Sequence, residues 1–211
     1  MSNVTPPPRP YTQRKRRQSA EETRQRIVEA AQELLSTTGY PHVTLDDIAA
    51  AAGVSRQTVY VQLGSKSGVL QAVAEHIEQA SLDGLLAVLF QAATPLEGLR
   101  YALQRVAHFY DHYGDVLRTL HAQTVYDAVF AAMWQAKQHE IWGNTRRLVQ
   151  WLEGERLLTR EWSVDEATDL VWALSSFDSY VHLVGERGWS QEQFVVRTLQ
   201  TIERTLVADE G

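Results

Sequence analysis

One local signature recurs along this chain: a serine or threonine, followed three residues later by an acid or amide, stands ahead of apolar residues at helical spacing. In such a capping box the hydroxyl oxygen accepts a hydrogen bond from an otherwise unpaired backbone N–H, and the acid or amide bonds back to the cap. A single match carries little weight, but five that each open an apolar-periodic stretch predict an all-α fold. The five pairs are Ser19/Glu22, Thr44/Asp47, Thr94/Glu97, Ser163/Glu166 and Ser190/Gln193.

Apolar periodicity and glycine positions predict where the helices lie. The first apolar stripe, from Ile27 to Leu35, belongs to a helix that ends before Gly39, and Gly53 separates two short helices. No run of alternating β-branched residues competes with this interpretation. The predicted helices span residues 20–37, 45–52, 56–63, 65–92, 95–112, 115–122, 125–155, 164–187 and 191–207.

Composition excludes several classes of protein. The 211 residues include no cysteine, which rules out disulfides, thiolate nucleophiles and cysteine-ligated zinc. The longest obvious apolar run, Leu85 to Phe90, is far shorter than the roughly 20 residues of a membrane-spanning helix. The N-terminal segment has no apolar stretch of the kind found in secretory signals. We therefore expect a cytoplasmic protein with no membrane partner.

Charge is distributed unevenly along the chain. Residues 1–66 contain nine Lys/Arg and six Asp/Glu, a balance of +3, whereas the whole chain carries a formal charge of −6. Such an asymmetry between the two parts of a chain is a reason to expect a nucleic-acid-facing N-terminal end. The overall negative charge therefore does not argue against a nucleic-acid partner.

The first 18 residues have the composition of a disordered basic arm. They contain three consecutive prolines and the basic cluster Arg14 to Arg17. Two interpretations stay open for this arm: a solvated tail, or a segment that lies along DNA phosphates or in a minor groove.

Residues 46–60 have the spacing of a helix-turn-helix motif. Small alanines at 49–52 allow two helices to pack closely, Gly53 permits a left-handed turn, and Val54 is the apolar residue that fills it. Ser55 can then cap a second helix whose first residues point outward. The spacing alone is equally compatible with an ordinary helical hairpin.

Six ordered segments give this motif a context: Ile27-Val28-x-Ala30-Ala31-x-x-Leu34-Leu35, Gly39-Tyr40, Thr44-Leu45-x-x-Ile48-Ala49, Ala52-Gly53-Val54-Ser55, Thr58-x-Tyr60 and Ser65-Lys66-x-x-x-Leu70. Together they resemble the DNA-binding domain of TetR family transcriptional repressors. The sequence departs from the family pattern after Tyr60, where an aromatic or histidine pair is common and this chain has Val61-Gln62.

The resemblance implies an all-α chain with a three-helix DNA-binding domain at 19–66 and a helical effector-binding and dimerisation domain at 67–211. It implies a homodimer, joined through its last two helices as a four-helix bundle, because two recognition helices must address two half-sites. It also implies a repressor that a small, mostly apolar effector releases from a near-palindromic operator on double-stranded DNA.

The expected DNA contacts follow from side-chain chemistry and from the resemblance. Residues that open the second helix of the motif reach base edges in the major groove, where arginine suits guanine, glutamine suits adenine and a threonine methyl suits the thymine methyl. By resemblance, Thr44, Tyr60 and Lys66 match positions that bind phosphates, although Thr44 as a cap and Tyr60 as a packing residue remain alternatives. The expected set is Thr44, Ser55, Arg56, Gln57, Thr58, Tyr60, Gln62 and Lys66.

All six tryptophans, with many other aromatic residues, lie in the C-terminal part of the chain. Aromatic residues at helical spacing are more often core than ligand contacts, but they also suit a pocket for a mostly apolar small molecule. By helical position, the expected lining is Phe109, Tyr113, His121, Phe130, Trp134, Trp151 and Phe177.

Two other classes of function are weaker alternatives. His108 and His112, near Asp111 and His121, have a spacing at which imidazoles can share a metal, but seven histidines make one such pair unsurprising. No catalytic motif accompanies the pair, so we expect no enzyme activity, metal or cofactor. The second alternative is a helical small-molecule-binding dimer without specific DNA binding, against which the intact segment 55–60 argues.

Overall fold

A computed structural model describes residues 10–89 and 92–208, with side chains over 15–79 and 92–208. The predicted all-α class is confirmed: the described residues form helices, and one isolated β-bridge joins Leu158 to Val207. No helix in this part of the chain is both long enough and apolar enough to cross a membrane. The elements are α1 Pro10–Thr38, α2 Leu45–Ala52, α3 Arg56–Leu63, α4 Lys66–Leu89, α5 Pro95–Gln123, α6 Ala128–Gly154, α7 Val164–Leu174, α8 Phe177–Tyr180, a π-helical segment Val181–Glu186 and α9 Gln191–Leu206.

Side-chain caps set the starts of the short helices. The Thr44 hydroxyl oxygen accepts from the Asp47 backbone N–H at 3.2 Å, and the Asp47 carboxylate accepts from the Thr44 backbone N–H at 2.9 Å. Ser163 and Ser190 open α7 and α9 with the same reciprocal arrangement. Because these signals are local, α2 and α3 begin and end at the residues that the sequence predicts.

The predicted start at Ser19 is wrong, and so is the predicted disorder of residues 10–18. Ser19 lies inside α1, which begins at Pro10. Proline is favoured at the first helical position, and the glutamine, arginine and lysine residues that follow it are good helix formers, so the basic cluster extends the helix. The rest of the predicted arm, residues 1–9, lies outside the described residues.

Two other boundaries differ from the prediction. The predicted interruption at 113–114 is absent because Gly114 is buried within a continuous α5, where one interior glycine costs only about 1 kcal/mol. Conversely, the predicted helix 164–187 is divided after α7. There the Ser175 and Ser176 hydroxyls donate to the carbonyls of Val171 and Ala173, and such bonds compete with helix continuation.

The chain divides into two compact units between His76 and Ile77, within α4 and C-terminal to the predicted boundary at residue 66. The first unit packs α1, α2, α3 and the start of α4 around fully buried side chains that include Ile27, Ile48, Val59 and Leu70. The second unit has its own core, which includes Leu103, Leu152, Phe194, Ile202 and Leu206.

The Thr44–Asp47 capping box makes the stability of the first unit depend on pH. Hydrogen bonds from the Thr44 hydroxyl and backbone N–H lower the pKa of the Asp47 carboxyl below its ordinary value of 3.8. A carboxyl whose pKa is lower in the folded chain stabilises the fold above its unfolded pKa, and loses this effect as pH falls through the folded value. We therefore expect Asp47→Asn to lower the free energy of unfolding at neutral pH, and its difference from the wild type to shrink below about pH 4.

Urea unfolding between about pH 7 and about pH 3 measures this difference. Thr44→Ala provides the control, since it removes the side-chain hydrogen bond that contributes most to the lowered pKa of Asp47. In that background, Asp47→Asn should show a weaker dependence on pH. A difference between the wild type and Asp47→Asn that stays constant over the whole range would contradict the prediction.

Candidate nucleic-acid interface and ligand cavity

The turn between α2 and α3 has the geometry of a helix-turn-helix. Gly53 adopts the left-handed conformation, with φ 66° and ψ 36°, and its N–H donates to the carbonyls of Ala49 and Ala50. The Val54 N–H also donates to the Ala49 carbonyl at 3.0 Å. An L side chain at this φ is strained, so glycine allows the chain to reverse immediately after α2.

Ser55 is the N-cap of α3, as the sequence predicts. Its hydroxyl oxygen accepts from the Thr58 N–H at 3.1 Å and lies 2.8 Å from the Thr58 hydroxyl. The buried Val59 packs the inner face of α3 against the rest of the first unit, and the outer face projects into solvent. On that face the Arg56 side chain is 65% exposed, and Tyr60 and Val61 are 61% and 70% exposed.

Arg56 already has a partner on α2. Its Nη1 donates to a carboxylate oxygen of Asp46 at 2.9 Å, and both side chains are largely exposed. This pair holds the guanidinium at the junction of the two helices of the motif. An exposed ion pair of this kind contributes at most about 1 kcal/mol, so the guanidinium can exchange partners at little cost.

An open concave surface of about 460 Å³ adjoins the first turn of α3. It brings together four of the predicted DNA-binding residues, two of them cationic and one aromatic. Lys66, at the start of α4, donates its ammonium to the Tyr40 carbonyl and lies 4.3 Å from the centre of the Tyr40 ring. The lining residues are Leu45, Arg56, Gln57, Tyr60, Gly64, Ser65 and Lys66.

The other predicted DNA-binding residues do not line this surface. Thr44, Ser55 and Thr58 take part in the caps of α2 and α3, and Gln62 is half-buried. A capping role does not compete with a phosphate contact, because a helix N-terminus itself attracts anions. Their contact with DNA stays a prediction.

Sequence reasoning missed two residues of this interface. Val61 presents an exposed apolar side chain on α3, and Asp46 binds the arginine expected to contact a base. In the family pattern the position of Val61 is commonly an aromatic residue or histidine. This departure is the sequence signal that could have identified Val61 as part of the interface. Asp46 and Arg56 are ten residues apart, so no helical spacing connects them.

The second unit contains a cavity of about 350 Å³ between α5, α6 and α7. Its walls are largely apolar, with charged side chains of both signs among them. This volume lies within the range of small-molecule pockets. The principal apolar contributors are Leu99, Leu103, Val106, Phe109, Leu148 and Val171.

Of the seven residues predicted to line a pocket, Phe109 lines this cavity and the other six do not. Tyr113 packs against Phe109, with ring centres 5.0 Å apart, and His121 stacks on Trp134 at 4.6 Å. Phe130 and Phe177 are buried in the core, and Trp151 adjoins Gly98 on α5. Their contact with a ligand stays a prediction.

A cluster of aromatic rings stands behind one end of the cavity. Tyr110, which lines the cavity, packs against Phe177 at 5.3 Å and Tyr180 at 5.5 Å. Burial, with a smaller effect from the Asp178 carboxylate, raises the pKa of Tyr110 far above its ordinary value. Burial, the Asp111 charge and its hydrogen bond to the Tyr180 hydroxyl raise the pKa of Tyr180 to about 12. Both phenols are therefore neutral hydrogen-bonding groups.

The histidine pair on α5 does not form part of a larger ligand set. His108 and His112 stack with ring centres 6.4 Å apart. Among the described residues, no group of three or more histidine, aspartate or glutamate side chains is arranged to hold a metal ion.

A capped, outward-facing α3 after a left-handed glycine turn defines the first unit as a helix-turn-helix domain of the DNA-binding type. The family model for bacterial regulatory proteins of the tetR family matches residues 27–73. Residues 27–73 therefore form a DNA-binding domain of the TetR family type.

A known regulator is similar to a short stretch of the chain. TtgW of Pseudomonas putida, an HTH-type transcriptional regulator, is 52% identical over 60 residues, which are 28% of this chain and 45% of TtgW. The match thus spans less than half the length of that relative.

Two solved structures share the fold over most of the chain. A transcriptional regulator from Saccharomonospora viridis in complex with choline has a TM-score of 0.76 and 20% identity, over 89% of this chain and 99% of that one. NalD, the secondary repressor of the MexAB-OprM multidrug efflux pump in Pseudomonas aeruginosa, has a TM-score of 0.67 and 21% identity, over 92% and 100%. At these identities the likeness extends to the fold alone.

Proposed function

We propose that this protein is a homodimeric transcriptional repressor that binds a near-palindromic operator and is released from it by a small molecule. The observation that carries the proposal is the outer face of α3, where Arg56, Gln57 and Tyr60 line one concave surface beside Lys66. This arrangement combines groups that read base edges with groups that bind phosphates. The excess of basic residues in the first 66 positions favours the same face for a polyanion.

The first turn of α3 supplies the base contacts in this proposal. Arg56 donates to guanine O6 and N7, Gln57 pairs with adenine, and the Thr58 methyl contacts thymine. Tyr60 and Lys66 bind phosphates on either side, together with the N-terminus of α2 at Thr44. The basic residues 15–17, exposed on α1, add sequence-independent attraction to the backbone.

Homodimerisation is part of the proposal because one α3 reads only a half-site. The C-terminal elements leave apolar side chains for a partner: Val181, Leu183 and Val184 are half-buried, and Val196 on α9 is 42% exposed. A two-fold axis through these elements presents two copies of α3 to the two halves of a palindrome. Analytical ultracentrifugation should give about twice the chain mass of 23.9 kDa.

Effector binding in the second unit completes the proposal. The cavity lies between α5, α6 and α7, and α7 is followed in the chain by the C-terminal elements that carry the dimer contacts in this proposal. A ligand that binds more tightly to the conformer whose two α3 helices do not match the spacing of the half-sites shifts the population toward that conformer. Operator affinity falls as a result. The complex of the Saccharomonospora viridis regulator with choline supports a small-molecule site in this fold.

Selection of bound sequences from a random double-stranded DNA library tests the DNA-binding part directly. We expect a near-palindromic motif, and an affinity for it that falls steeply with salt, by roughly a thousandfold or more between about 50 and 200 mM if six or more phosphates are neutralised. Enrichment of no motif, while the protein is a folded dimer that binds small molecules, would instead support a dimer without specific DNA binding.

The Asp46–Arg56 pair leads to a further prediction about operator affinity. Asp46→Asn frees the guanidinium and removes a negative charge beside the phosphates, so we expect tighter operator binding by up to about 1 kcal/mol per half-site. Asp115→Asn is the matched control, because Asp115 forms a similarly exposed pair with Arg118 in the second unit. Fluorescence anisotropy with labelled operator measures both variants. An equal gain from both would show that net charge, rather than the release of Arg56, is responsible.

A further inference from the structure

We infer that the ligand of the cavity between α5, α6 and α7 is an elongated organic acid, with an apolar body inside and a carboxylate at the rim beside Arg105 and Arg147. The inference deepens the proposed function, on which its regulatory meaning rests. It is carried by the length of the cavity and by the distribution of charge around it.

The cavity follows two antiparallel helices, which makes it long. Gly98 of α5 adjoins Leu148 of α6, whereas His121 near the other end of α5 stacks on Trp134 near the start of α6. The lining on α5 extends from Leu99 to Tyr110. At 1.5 Å per residue this is about 16 Å of helix, so an extended chain fits the cavity better than a compact ring.

The charges around the cavity favour an anion. Glu140 is the carboxylate of the lining, and it forms an ion pair with Lys137. The Lys137 ammonium lies 3.0 Å from Glu140 and 3.4 Å from Glu78. Lys137 is therefore already committed to two acids. A ligand cation would meet the excess positive charge that the two arginines of the lining supply.

Those two arginines have no acidic partner within the part of the chain that the structure describes. Arg147 donates to the Asn144 amide oxygen at 2.7 Å, and Arg105 makes no hydrogen bond there. Both side chains belong to exposed residues, so they stand at the solvent side of the cavity. A guanidinium pairs with a carboxylate through two parallel hydrogen bonds, which makes this rim a fitting place for the acid group.

Tyr110 adds a hydrogen-bonding group to the largely apolar wall of the cavity. The residue lines the cavity and is only 8% exposed. Its hydroxyl can donate a hydrogen bond to an oxygen atom of a bound molecule.

Isothermal titration calorimetry with the purified full chain tests the inference, with octanoate, 1-octanol and octyltrimethylammonium as probes below their micelle-forming concentrations. We expect octanoate to bind about tenfold more tightly than octanol, and octyltrimethylammonium to bind more weakly than both. Lengthening the acid by one methylene should tighten binding about fourfold until the cavity is filled.

Two variants locate the groups responsible. In the double variant Arg105→Gln/Arg147→Gln, octanoate affinity should fall to that of octanol, while octanol affinity stays unchanged. Ala102→Phe fills the cavity from a half-buried position of its wall and should abolish binding of both, with circular dichroism as the check on folding. The inference is overturned if none of the probes binds, if octanol or the ammonium matches octanoate, or if the double arginine variant retains the preference for the acid.

Failure here is distinguishable from failure of the proposed function, because calorimetry requires no DNA. A chain that selects an operator but binds none of the three probes would overturn the inference alone. A chain that prefers octanoate but selects no operator would overturn the DNA-binding proposal and leave the organic-acid site in place.

Discussion

Replacing Phe194 by alanine should lower the free energy of unfolding of the second unit by about 3–5 kcal/mol. Phe194 lies on α9 with 0% of its surface exposed, and it is among the largest fully buried side chains of the chain. Removing its ring forfeits the transfer of that surface from water and leaves a cavity that the neighbouring helices fill only in part. The loss is a large share of the roughly 5–15 kcal/mol that stabilises an ordinary domain.

The contacts of Phe194 explain why this loss should also reach the cavity. Its ring meets Tyr180 edge-on with centres 5.0 Å apart, and Tyr180 in turn packs against Tyr110. The Tyr180 hydroxyl donates to Asp111 at 3.2 Å, which ties α8 to α5. We therefore expect Phe194→Ala to loosen the wall at the Tyr110 end of the cavity.

Urea unfolding at fixed protein concentration measures the change, since unfolding of a dimer depends on concentration. Phe194→Leu is the graded control: it keeps much of the apolar surface and should cost clearly less than alanine. A loss below about 1 kcal/mol for Phe194→Ala would mean that the site collapses around the smaller side chain, contrary to the prediction.

The parts of the fold that could be predicted from the sequence are those that depend on neighbouring residues. The bounds of α2 and α3 follow from Thr44, Gly53 and Ser55, whose hydrogen bonds all lie within five residues along the chain. The continuity of α5 through Gly114 depends instead on packing, which outweighs a weak intrinsic propensity. The start of α1 at Pro10 was missed because a basic, proline-containing segment has the composition of both a tail and an exposed helix.

The sequence likewise predicts one of the two candidate sites and not the other. Arg56, Gln57, Tyr60 and Lys66 could be identified because a helix-turn-helix presents its residues in a fixed order. The cavity could not, because apolar side chains at helical spacing are identical whether they meet another side chain or an empty space. Large aromatic residues were therefore expected to line it, yet Phe130 and Phe177 fill the core, and smaller leucines and valines surround the cavity.

Arg56→Ala should weaken operator binding by about 1–3 kcal/mol per half-site and relax the preference at one base position of each half. A bidentate contact to guanine is worth this much because the wrong base leaves the guanidinium unpaired in the groove. The Asp46 carboxylate, 2.9 Å away, competes for the same group in the free protein, which places the expected loss toward the lower end of the range.

Measurement of Arg56→Ala on the selected operator, and on variants changed at each position, separates base reading from phosphate binding. Arg56→Lys is the control, because lysine keeps the charge but lacks the planar fork that matches guanine. It should therefore lose the base preference while retaining more of the salt dependence than alanine does. An equal loss on every DNA sequence would assign Arg56 to a phosphate, and base reading at the start of α3 would then rest on Gln57 and Thr58.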